Sequence, residues 1–393
     1  MAINDHAPLA PSSAHIWAPD QGCRGSVALQ AAYPAPEDSE EAREGTAAHY
    51  YVAELLNGRD VPVGATAPNG HPITAEMVDC AQEILIDIRD TLRAASPGLA
   101  LRVEEKVFAP SVHEANYGTP DTYLMDRPKK HLHIWDYKYG HRFVDAVGNW
   151  QLLDYAIAIF DSEGYSPDVA YDHPLSWRGW TVTFTIAQPR NYHALGPLRY
   201  WQLSGERLAS DYLSRLRKSA FEGMAPGAPY TTGPHCRDCS GRHVCPALQR
   251  AGAIAMDVSL QAQPVELPTH AVGLELRQID DAIKRLEARK TGLEEHALGL
   301  IRSGTPVPFF SAQHASGREK FTAPVAEVFA LGDMFGVDLR KPQEAVTPNQ
   351  ARAALKTAGV DGSVITAYAD RPMGALRLVR VDDDAAKLAF GPE

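Results

Sequence analysis

The chain has 393 residues, 45% hydrophobic and 22% charged, with a formal net charge of -11. That length exceeds what one hydrophobic core usually organises, so two or more domains are expected, and the composition excludes a disordered or collagen-like chain. No apolar run approaches the roughly 18 residues that span a bilayer, and the start MAINDHAPLAPSSAHIW lacks the basic beginning and apolar core of a secretory signal, which points to a cytoplasmic protein without a membrane partner.

Residues 1–36 are rich in Ala, Pro and Ser, carry Trp17 and Gly22-Cys23-Arg24-Gly25-Ser26, and read as loop or short helix. Glu37 to Glu41 open a helical pattern with acids in the first turn, where the helix dipole favours them, and the pattern stops at Asn57-Gly58. Gly45, Ala47 and Ala48 would let this helix approach another backbone while presenting His49. An isolated helical histidine is ordinarily packed or solvated, so the pattern alone gives it no chemistry. Thr74 to Leu92 is an amphipathic helix with Met77, Ala81, Ile84, Ile88 and Leu92 on one stripe and Cys80 at its border. Leu101 to Val107 reads as a strand running into a hairpin with the Gly118 to Asp121 turn. One of Glu104 and Glu105 would then face the side of Asp121; alternation leaves open which, and a solvent-facing role is the expected reading for both.

The stretch from Gly118 to Tyr155 holds the densest pattern. Asp121 follows a Gly-Thr-Pro turn, and His131 to Lys138 alternates so that Leu132, Ile134, Asp136 and Lys138 share one strand face. A carboxylate and an amine thus point the same way, about 6 to 7 Å apart along the backbone. Gln151 and Tyr155, four apart on a helix, fall on one side of it. Asp168 to His173 and Trp180 to Ile186 read as further strands, and Leu203 to Phe221 as a helix with Arg207, Arg215, Arg217 and Lys218. The order of elements fits an α/β core with a mixed sheet. Although the chain is acidic, Arg127 to Arg250 holds 15 Lys/Arg against 11 Asp/Glu. Phosphate contacts act over about a Debye length, so overall acidity does not exclude DNA.

Cys236, Cys239 and Cys245 form a C-x2-C-x5-C cluster that points to a metal or metal cluster, with Cys23 as the natural fourth thiolate. A tetrahedral Zn2+ site completed by His235 or His243 is the alternative. Residues 258–268 read as a linker. Leu276, Ile279, Ile283, Leu286, Leu293, Ala297 and Leu300 then recur at 3,4 spacing, a heptad-like helix over about 272–302. A strand near Pro308 to Phe310, a helix from Thr347-Pro348 into Ala351 to Ala358 and a strand at Leu376 to Val379 complete the expectations. The organisation is thus 1–255 as one domain closed by the cysteines and 256–393 as a helical and α+β extension.

The order D, D-x-K, Q-x-x-x-Y resembles the PD-(D/E)XK nuclease superfamily, in its RecB-like branch, over roughly residues 12 to 250. The positions matching that branch are His49 on a helix, Asp121, Asp136 with Lys138, and Gln151 with Tyr155. A subset of these nucleases, AddB-type and CRISPR-adaptation exonucleases among them, ties the two ends of the domain through four cysteines; Cys23, Cys236, Cys239 and Cys245 match. With the segment Glu44-Gly45-Thr46 before His49 and the long extension, the chain is similar to a phage and prophage family of such nucleases. The resemblance implies a restriction-endonuclease-like fold and a DNA exonuclease that processes ends in phage recombination, replication or repair within a bacterial host cell. It implies Mg2+ or Mn2+ held by His49, Asp121, Asp136 and the Tyr137 backbone carbonyl, with Lys138, Gln151 and Tyr155 completing the catalytic set. It also favours a 4Fe-4S cluster over zinc. The competing expectation is a non-catalytic DNA-binding or recombination-assembly protein with a structural metal. The heptad-like helix leaves room for a homo-oligomer or for a recombinase or single-strand-binding partner.

Overall fold

Short alternating segments build the sheet that positions everything else. The computed structural model describes residues 7–34, 40–191, 196–259 and 268–313, with a few isolated positions beyond. Strands β1 (Arg102–Val103), β2 (Val107–Phe108), β3 (Tyr117–Gly118), β4 (Thr122–Asp126), β5 (His131–Tyr137), β6 (Thr181–Ala187) and β7 (Leu198–Ser204) form a five-stranded sheet, β1-β4-β5-β6-β7, and a separate ribbon, β2-β3. Only β5 and β6 are parallel within the five-stranded sheet. A parallel pair needs a crossover, and helix α5 (Trp150–Ser162) lies within it. The mixed α/β sheet expected from the order of elements is therefore present.

Each face of the sheet has its own core. On one, Leu132, Ile134, Val182 and Phe184 pack against α5, whose residues Leu152 to Phe160 are all buried. A helix apolar on every side belongs between layers, and the short helices α1 (Ala14–Trp17) and α2 (Ser26–Ala32) supply further cover through Trp17 and Val27. On the other face, Leu124, Trp135 and Tyr137 meet α3 (Glu40–Leu56) and α4 (Ala75–Ala94). The α4 stripe Met77, Ala81, Ile84, Ile88 is buried as its spacing requires, and Thr74 caps the helix by accepting from the Met77 N–H at 3.2 Å.

Several local expectations change. The strand expected over Leu101 to Val107 splits into β1 and β2, because Glu104 adopts φ 50 and breaks the pleat. Asp168 to His173 forms turns, not a strand: the His173 N–H donates to Ala170 O and the Ser176 N–H to His173 O, and Pro174 offers no ladder donor. Leu203 ends in β7; the helix begins at Gly205, with Ser204 as its cap, and runs as α6 (Gly205–Arg207), a π-helical turn at Leu208–Leu213 and α7 (Ser214–Met224). Pro308 to Phe310 is a turn with Phe309 at φ 70. The helix expected from Thr347 and the strand at Leu376 to Val379 lie outside the described stretches.

Contacts divide the chain into units Met1–Ala312 and Gln313–Glu393. Helices α8 (Pro246–Ser259) and α9 (Thr269–Arg302) fall in the first unit, beyond the boundary at 255 read from composition, because α9 packs on the cysteine segment. Ala288 of α9 shares a buried cluster with Cys236, Cys239, Cys245 and Leu248, while Leu276, Ile279 and Ile283 remain half exposed. Among the described residues no helix is long and apolar enough to cross a membrane.

Candidate active site

The antiparallel register of β4 and β5 pairs Thr122 with Trp135, which carries Asp121 alongside Asp136 at the sheet end. The Tyr137 N–H donates to Asp121 Oδ2 at 2.6 Å, and the Glu104 N–H donates to Asp121 O at 3.1 Å. Asp121 is thereby fixed by two neighbouring segments. From the opposite layer, α3 brings His49 Nδ1 to 3.2 Å from Asp121 Oδ1. Ala47 and Ala48 are fully buried beside it, so the small residues do let the helix approach.

Lys138 Nζ lies 3.0 Å from Asp136 Oδ2 and donates to Gln151 Oε1 at 3.1 Å, while Gln151 Nε2 donates to Asp136 Oδ1 at 2.9 Å. One amide thus holds both ends of the D-x-K pair. Tyr155, a turn further along α5, donates its hydroxyl to Thr119 O at 2.9 Å and so steadies the turn that delivers Asp121. Gly118 sits where that turn passes Tyr155: a Cβ there would stand 2.9 Å from Pro11 Cδ and 3.2 Å from Tyr155 Cε1. His49, Asp121, Asp136, Lys138, Gln151 and Tyr155 are therefore brought together. The Tyr137 backbone reaches the site through its N–H.

Glu104 is the residue that pattern reading left unassigned. Its left-handed backbone turns the carboxylate back toward Asp121, so that one ligand atom each from His49, Glu104 and Asp121 lies within 4.8 Å of the others. Glu105 instead pairs with Arg102 at 3.3 Å on the surface. No periodicity signals this, because a single φ of 50 switches the face.

The charges are mutually dependent. Burial opposes ionisation of Asp121, but the His49 charge and hydrogen bond, Lys138 and the Tyr137 N–H outweigh it and lower its pKa. His49 is the mirror case, raised by Asp121 against the effect of burial. Burial pushes Asp136 up, with Asp121 adding to the rise and Lys138 opposing it. Lys138 is kept charged by Asp136 and Asp121 despite burial. Burial first and the Asp121 charge second push Glu104 up to about 7, although its side chain keeps solvent on one side, which tempers the desolvation. Asp136 Oδ2 is enclosed with no hydrogen-bond donor in line, only the charge of Lys138 beside it. An imidazole and three carboxylates are a donor set suited to a hard divalent cation.

Residues 6–386 match the family described as Protein of unknown function (DUF2800). The chain belongs to that family. The match spans both the carboxylate cluster and the second notable site of this DUF2800 chain, the cysteine cavity.

Cys23, Cys236, Cys239 and Cys245 line one cavity with His235, Thr231 and Leu248. The Thr231 N–H points at Cys23 Sγ at 3.5 Å and the Gly233 N–H at Cys236 Sγ at 3.4 Å. Burial pushes the Cys239 thiol up to about 12, with the other three cysteines adding to it, so ionised thiols here need a cation. His235 lines the cavity with Nε2 on Thr231 O at 3.2 Å. His243 turns to α9, where it stacks on His296 at 4.8 Å. The cavity is tied to the first site by Asp238, which accepts from Arg142 at 2.9 and 3.2 Å and faces His15 at 3.3 Å. Arg142 follows Lys138 in a loop that Gln188 also holds, donating to Gly140 O at 2.8 Å and to Arg142 O.

Proposed function

We propose that this protein is a divalent-metal-dependent DNA nuclease built on the RecB-like variant of the PD-(D/E)XK fold, acting on DNA ends. The observation that carries the reading is the meeting of His49, Glu104 and Asp121 beside the linked set Asp136, Lys138 and Gln151, drawn from five separate segments. A structural acid cluster does not need an ammonium held between a carboxylate and an amide.

His49, Glu104 and Asp121, with Asp136 Oδ2, would hold Mg2+ or Mn2+. When bound, such an ion makes water a competent nucleophile and offsets the charge that builds on phosphorus. Lys138 remains an ammonium and supplies fixed positive charge beside the phosphate, since its carboxylate neighbours raise its pKa. Gln151 holds Asp136 and Lys138 in register, and Tyr155 holds the Thr119 turn. Neither needs to move a proton. The four cysteines would hold a 4Fe-4S cluster, whose ligands stand further apart than those of a single Zn2+ ion. It would fasten Cys23 of the N-terminal segment to residues 236–245 and close the domain around the catalytic sheet.

The test is cleavage of labelled linear single- and double-stranded DNA with and without Mn2+. Wild-type protein should cleave only with metal, and Asp136→Ala or Lys138→Ala should lower the rate by about 10^3 or more while the thermal melt is retained. Full activity in both variants overturns the assignment. Metal-independent binding of DNA without cleavage would favour a non-catalytic assembly protein.

A further inference from the structure

The ribbon β2-β3 is joined through the chain to the carboxylate site, and both of its strands run into site residues. β2 begins three residues after Glu104, and β3 ends three residues before Asp121. In its register Val107 faces Gly118 and Phe108 faces Tyr117. Val107 is buried against the α5 layer, so its neighbours Lys106 and Phe108 turn outward, and Phe108 is 49% exposed. The backbone beneath them is held firmly. Ser162 at the end of α5 accepts from the Phe108 N–H at 2.8 Å and donates to Phe108 O at 3.3 Å, and Gly118 packs on Pro11 and Tyr155.

The Phe108 and Tyr117 rings stand 5.8 Å apart at an interplanar angle of 41°, with Lys106 Nζ 4.5 Å from the Tyr117 centroid and 5.9 Å from that of Phe108. An apolar core contact is not what exposes these rings, since Val107 already fills that role. We infer that this ribbon is a stacking platform for the bases of single-stranded DNA, feeding an unpaired strand into the carboxylate site. The inference rests on the nuclease reading for its direction toward the site, but not for its chemistry. A nucleobase stacks on an aromatic face regardless of its identity, and such a stack is worth more than an exposed cation–π contact. An arriving base therefore displaces the Lys106 ammonium from the Tyr117 face. Inside a duplex both faces of each base are covered by its stacked neighbours, so a blunt duplex offers these rings only the outer face of its terminal pair. The platform thus specifies unpaired ends as the substrate class.

Fluorescence anisotropy of a labelled 20-nucleotide oligomer, with Ca2+ in place of Mg2+, tests this on the full-length protein. Phe108→Leu/Tyr117→Leu keeps apolar bulk and removes both ring faces, and should weaken binding about tenfold or more. An abasic oligomer of equal charge should bind wild type and variant alike, and Tyr117→Phe should retain wild-type affinity. Equal affinity of wild type and double variant for the base-bearing strand, or the same loss with the abasic strand, overturns the platform. Failure of the nuclease reading is seen separately: wild-type protein that binds in this ring-dependent way yet never cleaves with Mn2+ keeps the platform and loses the enzyme.

Discussion

The carboxylate site and the cysteine cavity lie in one unit but are built in opposite ways. The first is carried by regular elements: β4 and β5 fix Asp121 and Asp136, and helices α3 and α5 bring His49 and Gln151. The second is carried by two short 3-10 turns, Pro234–Asp238 and Ser240–His243, neither of which has a side-chain cap. The carboxylate site keeps its shape through its own hydrogen bonds, whereas on the proposed reading the cavity would depend on the metal its cysteines hold. A functional centre placed on ordered strands and helices and a fastening placed on irregular turns are separable, and each can be broken without the other.

That separation can be tested from both ends. The largest effect is the loss of cleavage in Asp136→Ala and Lys138→Ala with an unchanged melt, described above. Cys236→Ser/Cys239→Ser should do the reverse. Removal of a structural metal takes folding free energy with it, and a loss of about 4 kcal/mol would lower Tm by roughly 5–10 °C in a unit this large. A differential scan together with the iron and zinc content of protein purified without oxygen checks this; a double variant that melts like wild type removes the fastening role.

Asp154 on α5 offers a further test in the buried core. It is fully buried, and burial pushes its pKa up to about 8, with the Asn116 amide opposing the rise. Asn116 Oδ1 is itself buried without a donor, which a protonated Asp154 can supply. Between the unfolded value near 4 and the folded value near 8, the unfolded chain has released this proton and the folded chain has not. Stability contributed by this group therefore falls as pH rises through that window and is level outside it. Relative to wild type, Asp154→Asn should gain up to about 4 kcal/mol between pH 5 and 8. Parallel urea titrations at the two pH values would show it, and a pH-independent difference would contradict it.

The smallest effect sharpens the Arg142–Asp238 link between the regions. Asp238→Asn should lower the catalytic rate by about threefold to tenfold, since it frees the loop after Lys138, while metal content stays at the wild-type level. Exchanging the charges in Arg142→Asp/Asp238→Arg should recover part of the loss. A rate that follows metal content instead would make Asp238 a support of the cavity alone.

How much of this was legible depended on the range of the interaction. Asp136 with Lys138 and Gln151 with Tyr155 could be placed on shared faces because strand alternation and the i, i+4 helical spacing are local rules, whereas grouping them with Asp121 came from the resemblance to a nuclease family. The cysteines were visible by spacing. Glu104 was not, because one left-handed residue reverses its face without changing the residue pattern. Arg142 with Asp238 was not, because ninety-six positions separate them and each alone is an ordinary surface charge. Asp168 to His173 misled because its alternation is strand-like while its Asp and His residues, followed by Pro174, turn the chain.

The pairing of Cys23 with residues near the far end of the domain also sets a schedule for synthesis. The cavity cannot close until Cys245 has left the ribosome, more than two hundred residues after Cys23. At about 5–20 residues per second the first thiol waits roughly 10 to 45 s for its partners. During that interval it is an accessible nucleophile on a nascent chain, open to oxidants and to other thiols. On the proposed reading, timely delivery of the metal, or protection of Cys23 until then, would be a condition for closing the cavity.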